Sequence, residues 1–283
     1  MSGDRSKALE RDAVTSGRAL LACTTAGAGV PVVFLHAGVA DHRMWQQQVA
    51  TVAADGFRAI AWDRRGFGDT LHADESYSHV GDLVRVLDRY AGGEPAILVG
   101  CSQGGRIALD ATLAHPERVR ALVLVAPAVS GAPAVESFPP AIEAMLLRMD
   151  EVEASADIDR VNAVEAHVWL DGPGCVEGRV QGAARALFLE MNGIALRAEA
   201  RGEEIPPPPA YDRVEMIGVP TLVVWGDLDF PHLSARCEHL VATIPGARAA
   251  PMPGTAHLPS LEAPDALDAV LVPFLREVRA SAT

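Results

Sequence analysis

Five short apolar runs, each closed by turn residues and set among helical patterns, constrain this chain more than any other feature. Val32–Leu35 (VVFL) ends in His36-Ala37-Gly38, and Phe57–Trp62 (FRAIAW) ends in Asp63-Arg64-Arg65-Gly66. Ala96–Val99 ends in Gly100, Ala121–Val125 in Ala126-Pro127, and Thr221–Trp225 in Gly226-Asp227. Near-continuous runs of β-branched residues and Leu suit strands buried on both faces of a parallel sheet. Asp41–Ala54, His79–Tyr90, Gln103–His115 and Leu233–Ile244 place apolar residues at helical spacing. A last helical segment, Ala263–Val278, carries Pro273, which is expected to kink or limit it. Strands alternating with helices predict an α/β fold: a mostly parallel sheet covered by helices on both faces. Ahead of this core, Arg18–Thr25 reads as an antiparallel edge strand and residues 1–16 as a solvated tail.

One interval breaks the rhythm. From Ala128 to about Met216 no strand pattern appears, and the helix-like stretches are Ile142–Glu153, Val161–Trp169 and Val180–Ala200. The interval closes with Glu203-Glu204-Ile205 and then Pro206-Pro207-Pro208-Pro209, a stiff, extended return linker. Roughly 90 residues are too many for a structureless loop in a compact domain. The expectation is a core of residues 1–127 and 217–283, with a helical cap, 128–216, inserted after a central strand.

Composition narrows the partners. With 49% hydrophobic residues the chain can bury a core, so disorder is excluded as its dominant state. The 24 basic residues are outnumbered by 37 acidic ones, giving a net charge of −13. A phosphate-backbone binder normally shows a basic face, so neither nucleic acid nor an anionic membrane is an expected partner. No stretch approaches a membrane span, and the polar N-terminus lacks the apolar run of a signal peptide. Cys23, Cys101, Cys175 and Cys237 are too far apart for a metal knuckle. A reducing cytoplasm with free thiols is the expected setting.

The chemistry gathers around Gly100-Cys101-Ser102-Gln103-Gly104, a G-x-S-x-G pattern between an apolar run and an amphipathic segment. A strand, a sharp turn and a helix would set the Ser102 side chain at the apex, above the sheet. The flanking glycines suit the crowding of such a turn. A serine hydroxyl is a weak nucleophile and needs a base, best a histidine held by a buried carboxylate. His257 stands in a loop, Pro253 to Pro259, before the last helix. The carboxylate candidates, Asp227 and Asp229, lie just after the run Thr221–Trp225. The order Ser102, Asp, His257 is the one this architecture uses, and open α/β sheets gather their sites at the carboxyl ends of strands.

The segments FLHAG, WDRRGFGDT, VGCSQGG, VVWGDLD and GTAHLPSLEAPD together make the chain resemble the α/β-hydrolase superfamily over about residues 17–280. The resemblance implies Ser102 as nucleophile, His257 as base and Asp229 as the acid, with Asp227 as the fallback. It implies an oxyanion hole built from the backbone N–H of Gly38, or of Val39 in its place, and that of Gln103. The interval 128–216, with HVWLDGPG at 167–174, is similar to the cap of small bacterial ester and lactone hydrolases, the 3-oxoadipate enol-lactonase-like group included. A small-molecule ester or lactone is the implied substrate, with no cofactor and no metal. Val39, Trp169 and Leu258 are the expected substrate-pocket residues, and Met145, Met149, Phe188 and Met191 are further candidates.

Related chemistries share the motif. Cofactor-free perhydrolases, acyltransferases and triad-bearing ligand receptors resemble the same pattern. Epoxide hydrolases and dehalogenases of this fold use an Asp nucleophile, so Ser102 points away from them. Carbon–carbon bond hydrolases of the fold often carry Trp after the histidine, where this chain has Leu258. Cys101 is expected under the elbow in the core, His36 as a structural histidine, and Asp63-Arg64-Arg65-Gly66 as an ion-paired brace. His42, His72, His79, His115, His167, His232 and His239 lack metal spacing and read as surface or cap residues. Arg148, Arg160, Arg179 and Arg185 are cap cations that could meet a substrate carboxylate, most of them expected to be solvated.

Overall fold

The apolar runs form one sheet because each alternates its side chains between two cores. In β3 (Pro31–Leu35), Val32 and Phe34 pack into one buried cluster and Val33 and Leu35 into the other, which is the period of two that a strand imposes. The computed structural model describes residues 9–281. Its other strands are β1 (Glu10–Ser16), β2 (Ala19–Gly27), β4 (Arg58–Trp62), β5 (Ala96–Cys101), β6 (Val119–Val125), β7 (Thr221–Gly226) and β8 (Arg248–Met252). The sheet has the order β1-β2-β4-β3-β5-β6-β7-β8. The pairs β1–β2 and β2–β4 are antiparallel, and every pair from β4 through β8 is parallel.

Helices close both faces. On one side lie α1 (Gln46–Ala54) and, after the one-turn α8 (Pro259–Glu262), α9 (Pro264–Ala280); the apolar residues of α1 and α9 join the Val32 and Phe34 cluster. On the other lie α2 (His79–Tyr90), α3 (Gln103–Ala114) and α7 (Pro231–Thr243), joining the Val33 and Leu35 cluster. Between β6 and β7 come α4 (Pro140–Ala154), α5 (Ile158–Ala166), a π-helical turn (His167–Asp171) and α6 (Ala183–Arg197). This is the helical insertion expected after a central strand, with a satellite core of Ile142, Met145, Val161, Val164, Val168, Phe230 and Leu233.

Two boundaries depart from the sequence reading. Residues 10–16, expected in a solvated tail, form β1, which moves β2 off the sheet edge; residues 1–8 of that tail lie outside the described residues. The β1 side chains Glu10, Arg11 and Asp12 are exposed and only Val14 and Ser16 are buried, so the strand has little apolar signal. Its hairpin partner supplies the backbone hydrogen bonds instead. Pro273 does not end its helix: α9 runs through it, and Leu267, Leu271, Phe274, Leu275 and Val278 are buried along its length. Apolar packing outweighs the hydrogen bond that Pro273 cannot donate.

Candidate active site

Ser102 sits where β5 breaks into α3, with φ +51° and ψ −116°. A non-glycine residue with this backbone is strained by about 1–3 kcal/mol and persists only when its surroundings over-determine it. The surroundings do so here. The Ser102 N–H donates to the Val125 carbonyl at 3.0 Å, and its own carbonyl accepts from the N–H groups of Arg106 and Ala128. The glycines are steric requirements: a Cβ on Gly100 would stand 2.4 Å from the Gly104 carbonyl oxygen, and one on Gly104 would stand 2.2 Å from that of Leu35. Real Cβ atoms do not approach so closely, so the turn tolerates no larger residue at either place.

His257 and Asp229 reach each other because their loops are zipped together. The Leu228 N–H donates to the Thr255 carbonyl, and the Gly254 N–H donates to Asp227 Oδ1 at 2.6 Å. Asp227 is thereby spent as a loop brace. Asp229, two residues on, accepts from His257 Nδ1 at 2.6 Å through Oδ2 and from the Phe230 N–H at 2.8 Å through Oδ1. The pair is sequestered, with Asp229 6% and His257 2% exposed. A carboxylate on Nδ1 fixes the tautomer with its proton there and leaves the Nε2 lone pair free. Among the described residues the Ser102 hydroxyl makes no hydrogen bond, and it shares a cavity of about 390 Å³ with His257.

That cavity is walled by Gly38, Val39, Ala128, Trp169 and Leu233, with Gln103, Glu165, His232 and Arg236 as its further polar members. Trp169 comes down from the π-helical turn, its ring centroid 4.8 Å from that of the His257 imidazole and 5.3 Å from that of Phe230. Of the expected pocket residues, Val39 and Trp169 line the cavity, whereas Leu258 is fully buried in the core. Phe188 and Met191 pack in that same core and Met145 in the satellite one, away from the cavity wall. Ala128, Glu165, His232, Leu233 and Arg236 were missed by the sequence reading. Only the facing of cap and α7 side chains marks them, and no motif does.

The loop after β3 is held by an unusual cation. Arg64 is 1% exposed and pairs with no carboxylate among the described residues. Its Nη1 donates to the Gln103 side-chain oxygen at 2.8 Å and its Nη2 to the Ala37 carbonyl at 3.1 Å, while its guanidinium lies 4.2 Å over the Phe67 ring. Burial pushes its pKa down to about 9. His36 adds a second grip: its Nδ1–H donates to the Ala37 carbonyl at 2.7 Å, and its Nε2 accepts from the Arg64 N–H. Burial first, and the neighbouring Arg64 charge second, hold His36 neutral, well below the usual imidazole range. Because the Ala37 carbonyl and the Gly38 N–H belong to one planar peptide and point opposite ways, pinning the carbonyl on Arg64 and His36 aims the N–H away from them. Ala37 lies outside the positive-φ region and needs no glycine. Gln103 opens α3, so its N–H belongs to the first turn, whose donors have no intrahelical acceptor.

Other chemistry-bearing residues are engaged elsewhere. The Cys101 thiol is buried under the elbow, 3.6 Å from the His257 carbonyl, and burial raises its pKa well above the usual range. Ser130 is also committed, its hydroxyl donating to Asp110 at 2.7 Å and accepting from the Ala210 N–H. Of the cap arginines, Arg185 pairs with Asp171, Arg148 with Glu177, and Arg179 with Glu262 and the Gly254 carbonyl. Arg179 thus ties the cap to the histidine loop, since Glu262 also accepts from the Ala256 N–H. Arg65 is braced by Asp82 and Glu75, as expected of that loop. Two histidines differ from expectation. His79 is buried beside Tyr77, and His42 meets Asp63 at 2.8 Å. Asp41, His42 and Asp63 form the one grouping of metal-ligand spacing among the described residues. Its oxygens are taken by Arg43 and by the N–H groups of His42, Arg43 and Asp69.

Comparison with known proteins bears on the family and the fold. The chain is 40% identical over 102 residues to "Epoxide hydrolase 2" of Siraitia grosvenorii, a match spanning 34% of the chain and about a third (32%) of that relative. Among solved structures it resembles the esterase RhEst1 from Rhodococcus sp. ECU1013, with TM-score 0.75 and 24% identity, covering 95% of this chain and 99% of that one. It also resembles Est816, an N-acyl homoserine lactone degrading enzyme, with TM-score 0.69 and 26% identity, covering 93% of this chain and 100% of that one. No described helix is long and apolar enough to cross a membrane. A sharp serine elbow at the end of β5, a sequestered His–Asp pair on the loops after β8 and β7, and a family profile matching residues 32–270 lead to one assignment: this chain belongs to the alpha/beta hydrolase family.

Proposed function

We propose that the protein is a serine hydrolase that cleaves carboxylic esters or lactones through an acyl-enzyme, with Ser102 as nucleophile, His257 as base and Asp229 as its orienting acid. The observation that carries this reading is the His257–Asp229 pair at 2.6 Å opening, with the strained Ser102, onto one cavity. Ser102 Oγ attacks the acyl carbon as its proton passes to His257 Nε2. The oxyanion so formed accepts from the N–H groups of Gly38 and Gln103, each worth roughly 3–4 kcal/mol in such a site. His257 returns the proton to the leaving alkoxide. Water then attacks the acyl-enzyme with the same imidazole as base, and Ser102 is regenerated. In a lactone the leaving alkoxide stays tethered to the acyl chain, and the steps are otherwise the same.

A cavity of about 390 Å³ suits a small or medium acyl group, and its Val39, Trp169 and Leu233 walls suit one that is partly apolar. The likeness to Est816 supports the lactone arm, of which the enol-lactonase-like group is the narrower reading. The reading takes residues 128–216 as the cap that selects substrate from a core of 1–127 and 217–283. It places the enzyme in the cytoplasm. A p-nitrophenyl ester tests it: the wild-type protein releases nitrophenolate with a burst equal to the enzyme present, and Ser102→Ala removes both burst and turnover. A full burst from Ser102→Ala would contradict the reading.

A further inference from the structure

Glu165 sets a carboxylate on the wall of the cavity that holds Ser102 and His257. Such a group is costly beside Val39, Trp169 and Leu233 unless something pairs with it. Its burial lifts the carboxyl pKa above its ordinary value, partly offset by a hydrogen bond from Asn192. No Lys, Arg or His forms an ion pair with it among the described residues, although Arg236 and His232 line the same cavity. The carboxylate is nonetheless held in place. Asn192 Nδ2 donates to Glu165 Oε2 at 2.5 Å and to Asn162 Oδ1 at 3.0 Å, and Asn162 Nδ2 donates to the Leu189 carbonyl at 2.8 Å. Both asparagines are buried. A buried amide relay across α5 and α6 therefore fixes one carboxylate oxygen, and the other accepts no hydrogen bond among the described residues.

We infer that Glu165 is a specificity-determining residue, and that the ester or lactone cleaved here carries a neutral hydrogen-bond donor, a hydroxyl or amide N–H, on its acyl part, which donates to the free Glu165 oxygen. A neutral donor fits better than a cation because the Arg236 charge lies on the same cavity. This inference rests on the serine-hydrolase reading and deepens it. A site built around an unpaired acceptor discriminates strongly, because a bound substrate lacking the donor covers that half-buried acceptor and leaves it unsatisfied. Glu165→Gln turns the site around. The Asn192 N–H keeps the amide oxygen on its side, so the glutamine presents its NH₂ to the cavity, and an acceptor becomes a donor.

The experiment compares kcat/KM for p-nitrophenyl 3-hydroxybutanoate and its methyl isostere, p-nitrophenyl 3-methylbutanoate, and for a matched pair in which an acylamino N–H is replaced by CH₂. In the wild type at least one donor ester is expected to be favoured roughly tenfold or more, the worth of a hydrogen bond to a charged group. In Glu165→Gln that preference is expected to vanish or reverse, and in Glu165→Asp to weaken. Each ratio is taken within one protein preparation, so a lowered active fraction cancels. Wild-type ratios near one for both pairs overturn the inference without any variant. A donor preference that survives intact in Glu165→Gln overturns it as well. Ser102→Ala separates the two levels: if it still cleaves all four esters, the serine reading itself fails, whereas if it cleaves none and the wild-type ratios are near one, only the role of Glu165 falls.

Discussion

At the scale of single residues, two carboxylates two positions apart in one loop region are told apart by what they hold. Asp227 accepts from the Gly254 backbone, and Asp229 accepts from the His257 imidazole. Asp229→Asn should therefore leave the fold in place but favour the wrong imidazole tautomer, lowering kcat by about 10⁴-fold, the loss typical of such a change. Asp227→Asn should lower kcat far less and act mainly on stability. Steady-state kinetics on one ester, with thermal melts of all three proteins, checks both; equal losses of kcat would show that the roles were assigned wrongly. The sharp turn at Ser102 and the pairing of His257 with the second carboxylate were legible in the sequence, because each sits in a motif tied to a strand end. Glu165, His232 and Arg236 were not legible, because which side of α5 or α7 faces the cavity is decided by packing between segments far apart in sequence.

At the scale of elements, apolar runs buried on both faces of the sheet announce themselves, and polar or interrupted ones do not. The strands β3 to β7 stood out as continuous apolar text. Strand β1 did not, since its exposed Glu10, Arg11 and Asp12 read as tail and its pairing is backbone chemistry with β2. Pro273 misled in the opposite direction: its breaking tendency is a local preference, and α9 is held by the five buried residues on its inner face. That account has a measurable consequence. The Pro273 ring is exposed, and its lack of an N–H leaves the Ala269 carbonyl without its usual helical donor. Pro273→Ala should therefore stabilise the protein by up to about 3 kcal/mol and raise Tm by several degrees. A lowered Tm would mean that the proline ring is itself part of the packing.

At the scale of the whole molecule, the loop-side buried histidines couple stability to acid. His79 is pushed down to about 3, first by burial and then by the charges of Arg64, Arg106 and Arg65. The unfolded chain takes up that proton near pH 6.5, whereas the folded protein refuses it until about pH 3. Between those values the unfolded state binds more protons, so stability falls as pH drops. The slope from this one group is about 1.4 kcal/mol per pH unit, and the contribution is whole above about pH 6.5. Replacement by a non-titrating ring, His79→Phe, should flatten the acid limb of Tm between pH 6 and 4, and His36 should leave a residual slope of the same sign. An unchanged limb would place the acid sensitivity elsewhere.

The catalytic account depends on Ser102 Oγ being the atom that becomes acylated. The most direct measurement is mass spectrometry of the protein after reaction with a fluorophosphonate, which phosphonylates an activated serine and stays attached. The account predicts one adduct per chain, on the peptide containing Ser102, strongly slowed in Asp229→Asn and absent in Ser102→Ala. An adduct on Ser130 or another serine, or full labelling of the Ser102→Ala protein, would contradict it.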